Sequence, residues 1–272
     1  MLGINTNVAS LNAQRNLSSS QANMANSVQR LSSGLRVSSA ADDAAGMAIA
    51  TRMDSQIRGS SVALRNTNDG ISMMQTADGA MSSIGDDLQR MRELAVQAKN
   101  STSSNDLTSL DKEYQDLGSE INRVINQTDF NGASILKDGT AKTFQVGAKN
   151  TDTISVTISD LSAATNLTAT TGGSLTSAAN AATAITSIDG AIGEINTERA
   201  NVGSVTNRFN QVASNLQTYN QNMSTARSRI VDADYAAESA NMTRNSVLQQ
   251  AGTAMLAQAN AQPNQVLSLL RG

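Results

Sequence analysis

Residues 185–230 read ITSIDGAIGEINTERANVGSVTNRFNQVASNLQTYNQNMSTARSRI, and this stretch decides the fold class. Apolar side chains recur along it at spacings of three and four, which is the period of one helix face. Arg199 interrupts the stripe, and its phase slips between Val202 and Val205. One helix over these residues would be about 70 Å long at ~1.5 Å per residue, which is longer than a compact globule needs. Heptads sustained over this length predict a coiled-coil rod.

Two more stripes of the same kind precede it. The apolar positions of the first are 77, 81, 84, 88, 91, 95 and 98, and those of the second are 107, 110, 114, 117, 121 and 124. A Ser- and Asn-rich break separates the two stripes. The pattern predicts two long helices packed back to back, with Asn105 or Asp106 as the N-cap of the second.

The two ends of the chain carry thinner stripes. Residues 1–36 and 248–269 are patterned as helices, but most of their other positions are uncharged amide and hydroxyl side chains. Such helices are marginal alone, because nucleation is costly and a narrow stripe buries little surface. We expect these segments to fold only when partners cover them.

The middle of the chain is different. Residues 144–146 and 154–158 alternate in polarity around a Gly147 turn, which predicts a small β-hairpin within about residues 140–160. Residues 161–188 contain no charged side chain. They are interpreted either as a surface excursion or as a helix that starts near Ala178 after a Gly172-Gly173 turn.

Composition excludes several classes of function. The 272 residues include no Cys, no His and no Trp, and the net charge is −3. Without Cys or His there is no disulfide framework, Ser-His-Asp triad, Cys-His dyad or His-based metal site, so an enzyme is not expected. The charge does not favour nucleic acid as a partner, and no apolar run is long enough to span a membrane. The N-terminal residues lack the pattern of a cleaved signal peptide.

Several motifs together resemble those of bacterial flagellins. They are RLSSGLR at 30–36, DDAAG at 42–46, QIRG at 56–59, LQRMRELAVQ at 88–97, TDFNG at 128–132, FQVG at 144–147, VLQQAG at 247–252 and VLSLL at 266–270. The chain is similar to a minimal flagellin that lacks the outer hypervariable domains. The resemblance implies a mainly α fold, a long coiled-coil rod with a small β-hairpin region.

The resemblance also implies two domains and a function. Residues 1–44 and 232–272 would form the terminal inner-core domain, and residues 45–231 the outer-core rod that carries the hairpin. The expected function is that of a structural subunit that polymerises into the bacterial flagellar filament for swimming motility. The expected polymerisation residues are Leu31, Leu35, Arg36, Asp42, Asp43, Leu248, Met255, Val266 and Leu269. Asp42 and Asp43 fit no Ca²⁺ loop pattern, and the resemblance implies that they pair with Arg of a neighbouring subunit.

A second expected property is immune recognition. By resemblance, Arg90, Leu94 and Glu113 belong to the surface that the vertebrate Toll-like flagellin receptor reads. For a generic helix, Arg90 and its neighbours would be interpreted as a solvated charged face.

Partners and location follow from the same resemblance. They are other copies of the chain, a flagellin-specific export chaperone on residues 247–270, and the hook-associated and cap proteins. The protein would be secreted through the flagellar type III apparatus, without a cofactor. Two alternatives remain open: a hook-filament junction protein of the same superfamily, and a coiled-coil secreted effector that does not polymerise.

Overall fold

The computed structural model describes residues 6–101 and 103–271, and the side chains only as far as residue 262. Six helices carry most of the chain: α1 Val8–Ser33, α2 Ala44–Asn100, α3 Ser104–Gln127, α4 Thr165–Thr171, α5 Ala178–Val231 and α6 Tyr235–Arg271. Four short strands, β1 Asp129–Phe130, β2 Ala133–Ser134, β3 Lys142–Gln145 and β4 Thr153–Val156, lie between α3 and α4. The mainly α fold with a small strand region is confirmed.

The chain divides into two compact units. One contains the described residues up to Ser55 and from Asn222 onwards, and the other is Gln56–Gln221. Both boundaries fall inside long helices, α2 and α5, so each of these helices contributes residues to both units. Among the described helices, none combines the length and apolarity that a membrane span requires.

The core of the Gln56–Gln221 unit is built on the predicted stripes. All seven apolar positions of the α2 stripe are fully buried: Ala77, Met81, Ile84, Leu88, Met91, Ala95 and Ala98. From α3 and α5, Tyr114, Ile121, Ile188 and Phe209 pack into the same cluster. The expected N-caps of α3 are wrong by two or three residues, because the helix begins at Ser104 after Ser103, and Asp106 lies in its first turn.

Two hairpins, rather than one, occupy the strand region. β1 pairs with β2 through a turn in which Asn131 and Gly132 have φ of 51° and 76°, left-handed values that suit this pair of residues. β3 pairs with β4 in the predicted alternation, with Phe144 opposite Ile154. The ring of Phe144 lies edge-on to Phe209 of α5, with centroids 5.5 Å apart. Hydrophobic contact therefore ties the second hairpin to the long helices.

The uncharged segment is not a surface excursion, so that interpretation is wrong. Its Leu161, Leu167 and Leu175 are buried against the core, and α5 begins at Ala178, as the other interpretation predicted. Helix α3 holds the segment through polar contacts: the Tyr114 hydroxyl donates to the Thr170 carbonyl at 2.9 Å. The sequence could not predict this packing, because the three leucines are six and eight residues apart and match neither the helical nor the strand period.

Candidate assembly and recognition surfaces

Helices α1 and α6 pack against each other with small and polar contacts. Near the start of α1, the Asn7 side chain donates to the Ala259 carbonyl at 2.8 Å, and Ser10 Oγ donates to Asn260 Oδ1 at 2.8 Å. Further along, a Cβ added to Gly252 would lie 3.3 Å from Leu17, so the glycine permits close approach. The pair is joined by few buried side chains, and in α1 only Ser10 and Ser27 are buried.

Both helices of this pair leave apolar side chains exposed. On α1, Val8 and Leu11 are 61% and 51% exposed, and on α6 Val247, Leu248 and Met255 are 58%, 49% and 64% exposed. The sequence from 245 to 270 carries no charge. The exposed apolar side chains of the pair, on α6 within an uncharged segment, therefore form a candidate interaction site.

A short clasp joins the break between α1 and α2 to the break between α5 and α6. Leu35 forms an isolated antiparallel bridge with Asp232. The Arg36 backbone N–H donates to the Val231 carbonyl at 2.7 Å, and its guanidinium donates to the Ile230 carbonyl at 2.6 Å. In this chain, the two predicted polymerisation residues at 35 and 36 therefore make intramolecular contacts.

The acidic pair after this clasp is also occupied within the chain. Asp42 Oδ2 accepts hydrogen bonds from the backbone N–H and hydroxyl groups of Ser39 and Ser38 at 2.9–3.1 Å. These bonds, those of Ser39 first, hold the pKa of Asp42 below its usual range. Asp43 Oδ1 accepts from the Gly46 N–H at 2.9 Å, in the first turn of α2. Asp43 therefore stabilises the start of this helix, and Asp42 stabilises the turn that precedes it.

The remaining predicted polymerisation residues fall into three groups. Leu31 is half-buried on α1. Leu248 and Met255 are exposed on α6. The side chains of Val266 and Leu269 lie outside the described residues. The predicted polymerisation residues do not include Val8, Leu11 and Val247, although the thin apolar stripe of residues 1–36 contains the first two and the expected chaperone segment contains the third.

The predicted recognition residues lie in the other unit, where α2 meets α3. Arg90 Nε and Nη2 donate to Glu113 Oε1 at 2.9 and 2.8 Å, and Arg90 Nη1 donates to Glu93 Oε2 at 2.9 Å. The hydrogen bonds to Glu113 and then to Glu93 raise the pKa of the Arg90 guanidinium. All three side chains are about half exposed or more, so they present an ordered, charged patch to solvent.

Leu94 does not share this exposure. Its side chain is 1% exposed and belongs to the core. It cannot touch a partner while the helices keep this packing, so its contribution would be to support the helix beneath the charged patch. Glu93 is not among the predicted recognition residues, although its i,i+3 spacing from Arg90 is a signal for pairing.

Metal chemistry finds no support in the described residues. Within 6–101 and 103–271, no group of three or more acidic side chains could hold a metal ion.

Comparison with known proteins agrees with the motifs. The sequence profile of the bacterial flagellin N-terminal helical region matches residues 4–142, and that of the C-terminal helical region matches residues 185–270. A flagellin of Halalkalibacterium halodurans is 42% identical over 271 residues, with 98% of this chain and 99% of that protein covered. A flagellin of Bacillus subtilis is 40% identical over 303 residues, with the same coverage.

A solved structure is similar as well. The crystal structure of Bacillus cereus flagellin matches this chain with a TM-score of 0.51 and 38% identity. The match covers 56% of this chain and 88% of the Bacillus cereus chain. Flagellins are structural proteins and not enzymes, which confirms the expectation from composition. Profiles that match both helical regions, and relatives at this identity over nearly the full length, show that the chain belongs to the bacterial flagellin family.

Proposed function

We propose that copies of this chain polymerise through the α1/α6 pair into the flagellar filament. The observation that carries the proposal is the exposed apolar surface on both helices of the pair. Full burial of an exposed side chain of this size gains about 1.5–3 kcal/mol, and these side chains, which are about half exposed, would gain about half of that. A lone subunit leaves that gain unrealised.

One side of α1 faces away from α6 and is free to contact a neighbouring subunit. Ser10 and Leu17 contact α6. On the opposite side of α1, an exposed stripe follows a heptad-like spacing and consists of Val8, Leu11, Arg15, Ser18 and Ala22. The exposed residues of α6 form a different surface. When one surface of a subunit packs on a different surface of the next, the contact is heterologous and propagates into a helical polymer.

The test replaces Leu248 and Met255 together by Gln. Both side chains are exposed in the subunit, so the helix content of the monomer should not change. The critical concentration for filament growth should rise at least about tenfold, since roughly 1.4 kcal/mol of lost burial suffices for that factor. The matched control is Gln250→Ala, an exposed residue of α6 that carries no large apolar group. Filaments that grow equally well from the double variant would reject the role of α6.

The proposal also assigns the two parts of the chain to two domains of the filament. Residues 1–44 and 232–272 would act as the inner-core domain, and residues 45–231 as the outer-core domain. Export through the flagellar type III apparatus would deliver the subunit to the extracellular filament. The uncharged, apolar segment 247–270 would be held by a flagellin-specific chaperone before export, and the hook-associated and cap proteins would bound the filament.

Recognition by the vertebrate Toll-like flagellin receptor is a second proposed property. The observation in its favour is the exposed network of Arg90, Glu93 and Glu113, because an ordered Arg is a frequent anchor of protein interfaces. Leu94 would act indirectly, from the core below.

A further inference from the structure

Helix α2 carries an exposed stripe whose charges are self-complementary. Every seventh residue from 58 to 93 is exposed, and the members read Arg58, Arg65, Ser72, Gly79, Asp86 and Glu93. The basic residues lie at one end, the acidic residues at the other, and small uncharged residues lie between them. A heptad stripe of this kind winds slowly around a helix and can follow a second helix.

An antiparallel copy of the same stripe matches it. If the two-fold axis passes between positions 75 and 76, Arg65 of one copy meets Asp86 of the other, and this pair occurs twice. Arg58 then lies opposite Glu93, which also pairs with Arg90 of its own subunit. Ser72 then faces Gly79, where a Cβ would have no neighbour within 4 Å, so the helices can approach closely at the centre. A parallel copy in register would instead place each charge opposite the same charge of its partner.

The inner pair of charges lacks partners within the subunit. Among the described residues 6–101 and 103–271, the side chains of Arg65 and Asp86 make no hydrogen bond and no ion pair. The region around Asp86 is also strongly acidic, since burial, then Glu120 and Asp86, raise the pKa of Asp87. A cation from outside the subunit would relieve this repulsion.

We infer that the exposed stripe of α2 is an isologous contact surface for a second copy of this chain, held by reciprocal Arg65–Asp86 ion pairs. The contact closes on itself and does not propagate, so it belongs to the unpolymerised subunit and not to the filament. The stripe is about 50 Å long at ~1.5 Å per residue. At a helix width of ~10 Å it buries about 1,000 Å² in total, which is typical of a weak, transient interface.

The first test uses charge reversal in the full-length protein, below the concentration at which filaments form. Arg65→Asp and Asp86→Arg should each weaken dimerisation in sedimentation equilibrium, because each places two like-charged pairs in the contact. An equimolar mixture of the two variants has only opposite charges at these sites and should associate about tenfold more tightly than either alone. Asp106→Arg, an exposed acidic residue of α3 outside the stripe, is the matched control. A mixture that associates no better than the separate variants would overturn the inference.

The second test determines whether the two α2 helices are antiparallel. The chain has no Cys, so an introduced Cys can form a disulfide only with the same residue of a second copy. Thr76→Cys lies next to the proposed axis, where small residues bring the two Cα atoms within the ~6 Å that a disulfide bridges. Ser83→Cys lies on the same face, but its two copies would be about 22 Å apart along the helices. Oxidised glutathione should therefore cross-link the variant at 76 and not the variant at 83. If the two helices were parallel and staggered, the mixture of charge-reversal variants would still associate, but Thr76→Cys would form no disulfide between subunits. That result would overturn the antiparallel contact.

Failure of this inference is distinguishable from failure of the proposed polymerisation. The Arg65 and Asp86 variants keep the α1/α6 surface intact, so their filament growth should be unaffected by loss of the dimer contact. The Leu248 and Met255 variant keeps the α2 stripe intact and should still cross-link through Thr76→Cys.

Discussion

The guanidinium of Arg36 donates a 2.6 Å hydrogen bond to the carbonyl of Ile230, 194 residues further along the chain. Carbonyls in the last turn of a helix have no partner within that helix. Ile230 lies in this turn of α5, so Arg36 caps α5 from the break that precedes α2. The cap fixes the position where the chain enters α6 relative to the end of α1.

Arg36→Ala should loosen this clasp by about 1 kcal/mol, since it removes a charged but solvent-exposed hydrogen bond. Hydrogen exchange of filaments, in which we expect both ends of the chain to be protected, should speed up at residues 34–37 and 231–235. Arg52→Ala removes an exposed Arg of the same unit that has no partner among the described residues, and should change nothing there. Unchanged exchange in Arg36→Ala would mean that the backbone bridge alone holds the clasp.

Gly70→Ala should destabilise the Gln56–Gln221 unit by about 1–3 kcal/mol, the usual cost of overpacking. A Cβ at this position would lie 2.9 Å from the Phe209 ring, which is fully buried and contacts Phe144. Gly85→Ala is the matched control in the same helix, because its Cβ would meet nothing within 4 Å. That substitution should stabilise by about 0.5–1 kcal/mol through helix propensity. Urea midpoints followed by circular dichroism would show the two opposite shifts, and equal shifts would contradict this account.

Tyr114 should give the chain a specific alkaline transition. Burial, and secondly the Asp111 carboxylate, raise the pKa of Tyr114 to about 12. An unfolded tyrosine titrates near ~10, so the native chain binds more protons between these values and the free energy of unfolding falls as pH rises through that window. Tyr114→Phe should remove the highest step from the tyrosine absorbance titration and flatten this pH dependence. At neutral pH it should cost about 1 kcal/mol for the lost bond to Thr170.

Arg90→Ala should weaken binding to the Toll-like flagellin receptor by about 1–3 kcal/mol, the range for an anchoring interface Arg. The stability of the monomer should change by no more than ~0.5 kcal/mol, since Arg90 is exposed. Arg123→Ala breaks a comparable surface pair with Glu120 on α3 and serves as the control for charge. Equal receptor binding by the Arg90 variant and the original chain would remove this residue from the recognition surface.

Residues 6–40 and 235–271 should exchange quickly in dilute monomer and become protected in filaments. Ordering one residue costs roughly 1–2 kcal/mol of backbone entropy, and α1 buries only Ser10 and Ser27 to offset it. The buried stripe of α2 from Ala77 to Ala98 is the internal standard and should be protected in both states. Strong protection of both ends in the monomer would show that the helix pair is stable by itself.

Periodicity alone determined the long helices of this protein. The stripe from Ala77 to Ala98 predicted a buried face, and every one of its positions is buried, because a seven-residue repeat can place its apolar side chains on only one side of a helix. The alternation around Phe144 predicted the second hairpin for the corresponding reason, with a period of two. Motifs that resemble flagellin supplied the family and, with it, the candidate surfaces.

Only the tertiary structure decided which of those candidates face solvent and which are satisfied within the chain. Leu94 and Arg90 belong to one sequence motif, yet the first is in the core and the second is held by Glu113, which is 23 residues away. Arg36 and Ile230 are separated by 194 residues, and no local pattern relates them. A side chain's periodicity reports the face of its own helix, whereas its partners depend on where the fold brings distant segments together.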